Sequence, residues 1–242
     1  MKLIFDIGFN VGAFSRACFE KYPGCTVVGV EANRTLLFGA KALLRRAIFK
    51  LKRRRLILLH SLVSSESGGT LPFYISDISS GLSSASTKHI QDSRFTLGNK
   101  FLIGDARRWN RVVAVNTVTL DDLISKFGTP DLIKVDVEGF EFEVLTGLSS
   151  SVPILCFEWH EESLGEALKC LEHLKSIGYR KYGVVGYFED PSDECSKLFT
   201  NIGSAAGHLD FPENYYSIED FILSNFCNEQ RRVNWGMIYV KT

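Results

Sequence analysis

Net charge is what this sequence most plainly lacks: 28 lysines and arginines stand against 28 aspartates and glutamates in 242 residues. With no bulk field to gather polyanions, DNA is not an expected partner, and any phosphate must be held by local groups. Long apolar runs are also missing. Each is broken by a charge or a glycine well short of the ~20 residues that cross a bilayer, so no membrane span is expected. Asp6 interrupts the opening Leu3-Ile4-Phe5 and no cleavage site follows, so no signal peptide and a cytoplasmic location are expected. The six cysteines, at 18, 25, 156, 170, 195 and 227, contain no Cys-x-x-Cys pair. Zinc ribbons and thioredoxin chemistry are therefore disfavoured, and buried free thiols expected. No repeat period exists either, and at 45% apolar and 23% charged residues the chain reads as one domain, 1–242.

What is present is an alternation of strands and helices. Lys2–Asp6 and Thr26–Glu31 are apolar runs that each end on an acid, with a helix over Val11–Tyr22 between them. A second helix follows Asn33, its apolar stripe running from Leu36 through Leu51. The Lys52-Arg53-Arg54-Arg55 run behind it reads as a solvated helix end in preference to a phosphate site. Further strands are expected at Leu56–Leu62, Asp131–Asp136, Pro153–Trp159, Lys181–Phe188 and Val233–Val240. Capping boxes at Thr119-x-x-Asp122 and Ser163-x-x-Glu166 open two more helices, the second with Gly178 at its end. The Ser/Gly-rich stretch from Ser64 to Ser86 reads as an irregular insertion. Its Ser79–Ser84 part is either a connector or a set of hydroxyls for a polar acceptor. Residues 189–232 are too long for a hairpin connection and read as a cover over the acceptor site. The aromatics around it, among them Phe188, Phe211, Tyr215, Tyr216 and Phe221, suit a lid and packing onto the sheet equally. Strands begin and end the chain, which fits a domain excised from a longer protein.

Alternating β and α elements demand a mostly parallel sheet with helices on both faces, and ligands in such sheets sit at the carboxyl ends of strands. Asp6, Glu31, Asp136 and Glu158 stand at those ends. Asp6-Ile7-Gly8-Phe9-Asn10-Val11-Gly12 turns the first strand into the first helix, and Asn10 is the non-glycine type best suited to φ > 0. Glu31 is placed to accept two ribose hydroxyls. A dinucleotide fingerprint is broken here by Asn10 and Ala13, so an NAD-dependent oxidoreductase is the weaker alternative. An acid two residues before the first glycine suits a ligand bearing an ammonium group, such as the amino-acid end of S-adenosylmethionine.

The strings F-D-I-G-F-N-V-G-A-F-S (Phe5–Ser15), V-V-G-V-E-A-N (Val27–Asn33), T-L-D-D-L (Thr119–Leu123) and D-L-I-K-V-D-V-E-G-F-E-F-E-V-L-T-G (Asp131–Gly147) resemble the FkbM-type methyltransferases. The resemblance spans residues 3 to about 160. It implies a Rossmann-like seven-stranded sheet with an antiparallel last strand, S-adenosylmethionine as methyl donor, and O-methylation of a small-molecule or glycan acceptor. It also implies that Asp6, Gly8, Asn10 and Gly12 surround the methionine part of the donor and Glu31 its ribose. Phe9 departs from the alanine usual in the family and places a bulky ring beside the donor. Asp136 and Glu138 are expected near the donor methyl, with Glu138 alternatively capping the following helix. Asp136, Glu158 and His160 are the expected catalytic groups, His160 being of the residue type suited as general base. A divalent metal on Asp136, Glu138, Glu158 and His160 is chemically admissible, but the four lack a recognised ligand spacing and the expected site is metal-free. A donor-binding module without catalysis is the remaining alternative.

Overall fold

The computed structural model describes residues 1–39, 55–76, 79–92, 109, 111–187, 209, 211–226 and 235–242. Strands β1 (Leu3–Ile7), β2 (Thr26–Glu31) and β3 (Arg55–His60) are joined through helices α1 (Ala13–Lys21) and α2 (Arg34–Phe38). A second group comprises β4 (Leu62–Val63), β5 (Thr70–Ile75), α3 (Thr87–Asp92), β6 (Arg111–Val118) and α4 (Leu120–Phe127). Then come β7 (Leu132–Val135), α5 (Glu141–Thr146), β8 (Ile154–His160), α6 (Leu164–Ser176), β9 (Lys181–Tyr187), α7 (Ile218–Asn225) and β10 (Trp235–Lys241).

The seven-stranded sheet has the order β3-β2-β1-β7-β8-β10-β9. β10 enters antiparallel between β8 and β9, and the pairings from β3 to β8 are parallel. Successive side chains of a strand face opposite ways, so alternate residues feed two cores. Phe5, Ile7, Val28, Ile133 and Phe157 meet α4, α5 and α6 on one face. Ile4, Val27, Leu132 and Cys156 meet Phe14, Cys18 and Phe19 of α1 on the other. Helices therefore cover both faces, and β7 throughout and β1 from Ile4 onward are buried, which is why they read as apolar runs.

Several local expectations change. The Ser64–Ser86 stretch is not irregular throughout, because β5 within it joins β6 and β4 in a separate three-stranded sheet. At Ser163 no capping box forms: Glu161–Ser163 is a 3-10 turn, and the Ser163 hydroxyl donates to the His160 carbonyl at 3.1 Å. At Thr119 the cap does form, its hydroxyl accepting from the Asp122 N–H at 3.1 Å. α2 is described only to Phe38, and the rest of its expected stripe and Lys52–Arg54 lie outside the described residues. The described part of the expected cover, 211–226, packs on the sheet: Tyr216 bridges to Tyr182, and Phe221 is fully buried beside it. The remainder of 189–232, Leu209 apart, lies outside the described residues. Among the described residues no helix is long and apolar enough to cross a membrane.

Candidate active site

At the β1–α1 turn, Gly8, Asn10 and Gly12 all have positive φ, at 80°, 48° and 75°. The glycines serve the protein's own packing. A Cβ on Gly8 would stand 1.8 Å from the Asp136 carbonyl oxygen, where the ends of β1 and β7 meet. A Cβ on Gly12 would strike the Phe9 ring at 2.4 Å, and one on Gly29 would strike it at 2.5 Å. Phe9 is thus folded into a slot that two glycines leave open, 5% exposed, and forms part of a cavity wall without closing the cavity.

That cavity, of about 210 Å³, is bordered by Gly8, Phe9, Asn10, Glu31, Lys134, Asp136 and Glu138. Glu31 closes β2 and receives the Asn10 N–H on one oxygen and the Asn33 N–H on the other, each at 2.7 Å. Burial raises its pKa, and the two N–H groups oppose the rise. Each oxygen keeps a further lone pair for a ligand hydroxyl. The Asn10 side-chain oxygen accepts from the Ser80 hydroxyl at 2.8 Å, and the Ser84 hydroxyl donates to the Glu138 carbonyl at 2.6 Å. These serines are therefore braces that hold Asn10 and the Glu138 backbone.

Asp6 and Gly12 do not border the cavity. The pleat turns Asp6 toward α1, where its carboxylate accepts from the Ser15 hydroxyl at 2.6 Å and lies 3.4 Å from the Lys134 ammonium. Direct contact with a ligand ammonium, expected of Asp6, is thereby replaced by a supporting role. Lys134, which the sequence reading left off the site, is the residue that Asp6 supports. Its ammonium donates to the Gly8 carbonyl at 3.1 Å and pairs with Asp136 at 3.1 Å. Burial alone lowers its pKa, but Asp136 and Asp6 together outweigh that and the net shift is upward. The signal in the sequence was the Lys134-x-Asp136 alternation.

Beyond β7 the chain leaves the strand and turns at Asp136–Glu141. Glu138 and Gly139 both take positive φ, at 56° and 85°. The turn is held by Glu141, whose Oε1 accepts from the N–H groups of Val137 at 3.0 Å and Gly139 at 3.3 Å. Neither Asp136 nor Glu138 caps α5; Phe140 occupies the N-cap without a side-chain bond. The Gly139 backbone leaves room for His89, whose Cβ a Cβ there would meet at 2.6 Å and whose ring it would meet at 2.7 Å.

On β8, Glu158 and His160 alternate to the same side, and His160 Nε2 lies 3.4 Å from Glu158 Oε2. Glu158 also hydrogen-bonds Asp136, and burial first, then Asp136, pushes its carboxyl well up. Burial does the same to Glu138, with Glu158 adding to it. Donor atoms of Glu138, Glu158 and His160 all lie within 4.8 Å of one another. His89 sits beside them, its ring centroid 6.3 Å from that of His160; burial, reinforced by His160, lowers its pKa to about 4. A second cavity, of about 130 Å³, is bordered by His89, Gly139, Phe142, Glu158, Trp159 and His160. Consecutive residues of one turn, Glu138 and Gly139, thus border the two cavities.

No curated protein matches the chain. Among solved structures, a methyltransferase FkbM from Methylobacillus flagellatus KT superposes with a TM-score of 0.50 at 17% identity, over 78% of this chain and 41% of that one. The chain therefore spans well under two thirds of that protein's length. The precorrin-6y C5,15-methyltransferase of Geobacter metallireducens GS-15 gives a TM-score of 0.42 at 11% identity, over 100% of this chain and 81% of that one. Phosphoethanolamine N-methyltransferase 2 of Haemonchus contortus, solved with S-adenosyl-L-methionine, gives 0.36 at 12%, over 99% and 47%. Residues 6–181 match the methyltransferase FkbM domain, and the chain belongs to the FkbM methyltransferase family.

Proposed function

We propose that this protein is an S-adenosylmethionine-dependent O-methyltransferase acting on a hydroxyl, that of a sugar in a glycan or glycosylated metabolite. The observation that carries the reading is the Asp136–Glu141 turn, which borders a nucleoside-type cavity on one side and a cavity with acid–base groups on the other. The first fits the donor: Glu31, buried and held by two N–H groups, offers free lone pairs to a vicinal diol, and Gly8, Phe9 and Asn10 form the wall beside it. When bound, the donor supplies an electrophilic methyl group that needs alignment more than activation, and alignment is worth ~7–11 kcal/mol.

The chain's own residues supply the rest. Lys134 fixes Asp136 at 3.1 Å, and Asp136 orients the acceptor hydroxyl. His160, with Glu158 beside it at 3.4 Å, takes the hydroxyl proton. Glu138 shapes the turn between the two ligands. Proton removal of this kind contributes ~10²- to 10⁴-fold.

Asp136→Asn tests the reading. Binding of S-adenosylhomocysteine should stay within a few-fold, while methyl transfer to a sugar acceptor falls at least ~100-fold. Unchanged turnover would remove Asp136 from the machinery. Thermal shift separates the alternatives: a ligand at 100 times its Kd adds ~2.7 kcal/mol. Stabilisation by NAD instead of S-adenosylhomocysteine overturns the reading, and donor binding without transfer to any hydroxyl identifies a non-catalytic module.

A further inference from the structure

We propose that Glu138, Glu158 and His160, with His89 at their edge, form a divalent-cation site of the Mn²⁺ or Zn²⁺ type at the turn that borders both cavities. Three side chains from two separate elements put their donor atoms within 4.8 Å of one another. Ligands ~2.1 Å from an ion are ~3.4 Å apart along a tetrahedral edge, and His160 Nε2 and Glu158 Oε2 are 3.4 Å apart already. Small side-chain rotations bring the third atom into range.

Two further observations point to a missing ligand. The His89 side chain is 9% exposed, and its Nε2 lies 3.9 Å from Glu138 Oε2 without a hydrogen-bond partner. The Glu158 Oε2 is likewise buried without a hydrogen-bond partner. Buried polar atoms of this sort are expensive unless something satisfies them. The nearby ammonium of Lys134 is committed to Asp6, Asp136 and the Gly8 carbonyl. Imidazole and carboxylate together suit Mn²⁺ or Zn²⁺ better than Mg²⁺, which prefers an all-oxygen shell.

A cation here faces the second cavity, so its remaining positions are open to the hydroxyl oxygens of an acceptor; with His160 on the ion, the acceptor's proton passes to Asp136 instead. This last step rests on the methyl-transfer reading; the cation site itself does not.

The test is a titration of the metal-stripped full chain with Mn²⁺ alone, following loss of the free-ion electron paramagnetic resonance signal. One saturable site in the micromolar range is expected, displaced by Zn²⁺ far better than by Mg²⁺. Glu158→Gln should weaken it at least thirtyfold while leaving the apo protein about as resistant to urea as before, because glutamine keeps the size of the side chain and an acceptor oxygen. Glu138→Gln should do the same. Glu162→Gln, on the adjoining surface, should change nothing. Absence of saturable binding, or binding that survives both Glu158→Gln and Glu138→Gln, overturns the proposal. If Mn²⁺ binds but no hydroxyl is methylated, the site stands and the O-methyltransferase reading falls.

Discussion

Two glycines separate backbone strain from collision. Gly24 and Gly8 both hold positive φ, at 90° and 80°, yet a Cβ on Gly24 meets nothing within 4 Å, whereas one on Gly8 stands 1.8 Å from the Asp136 carbonyl oxygen. Gly24→Ala should cost the left-handed penalty alone, about 1–2 kcal/mol. Gly8→Ala adds a clash with backbone that cannot rotate away, and should cost at least ~3 kcal/mol. Urea denaturation of the two variants checks this; equal losses would mean that β1 and β7 can part at their ends. The same scale shows what single residues disclose in sequence. Asn10 at positive φ and Glu31 at the cavity were legible, because residue type and strand-end position suffice to place them. Asp6 was misplaced because strand-end position does not say which face the pleat presents. Its neighbour across the register, Lys134, lies 128 positions away in sequence, and only the sheet brings the two together.

Among the elements, α4 shows how an insertion supports the core. Thr119 caps its N-terminus through the Asp122 N–H, and Ser67 closes the arrangement by donating to the Asp122 carboxylate and accepting the Thr119 N–H at 2.9 Å. Thr119→Ala should therefore cost about 1 kcal/mol, and Ser67→Ala a similar amount. In combination they should cost less than the sum, since the two share one network. Additive losses in a double-mutant cycle would show the two bonds to be independent. β2, β1, β7 and β8 of the main sheet were legible as apolar runs because inner parallel strands buried on both faces leave little room for polar residues. β5 and β6 were not. β6 alternates with one fully buried side chain, Val115, and its partner carries Pro72, so neither offers a continuous signal. The Ser163 box failed for a local reason, the 3-10 turn that includes Ser163 having directed its hydroxyl to the His160 carbonyl.

For the whole molecule, the strand ends of the central sheet concentrate buried carboxyls, and this sets how stability responds to pH. Burial raises the pKa of Asp6, Glu31 and Glu141, the last to about 7, and does the same to Glu138 and Glu158. A raised folded-state pKa means that the folded chain holds protons which the unfolded chain has released, so this stability is present below the ordinary carboxyl range and lost as pH rises through the folded value, about 7 for Glu141. His89, lowered to about 4, acts oppositely, its contribution growing as pH rises to about 6.5. Asp122, Asp131, Glu166 and Glu219 are shifted down, but near solvent, where screening leaves them little weight. With five buried carboxyls against one imidazole, the net direction is a decline in stability as pH rises above the ordinary carboxyl range. Glu141 isolates one contributor, because a glutamine there keeps the Oε1 acceptor for Val137 and Gly139 and loses only the proton. Glu141→Gln should therefore leave stability near pH 5 little changed and raise it near pH 7.5, by on the order of 3 kcal/mol at most. Urea midpoints of both proteins at the two pH values check it, and parallel declines would mean that Glu141 is ionised throughout and the linkage lies with its neighbours.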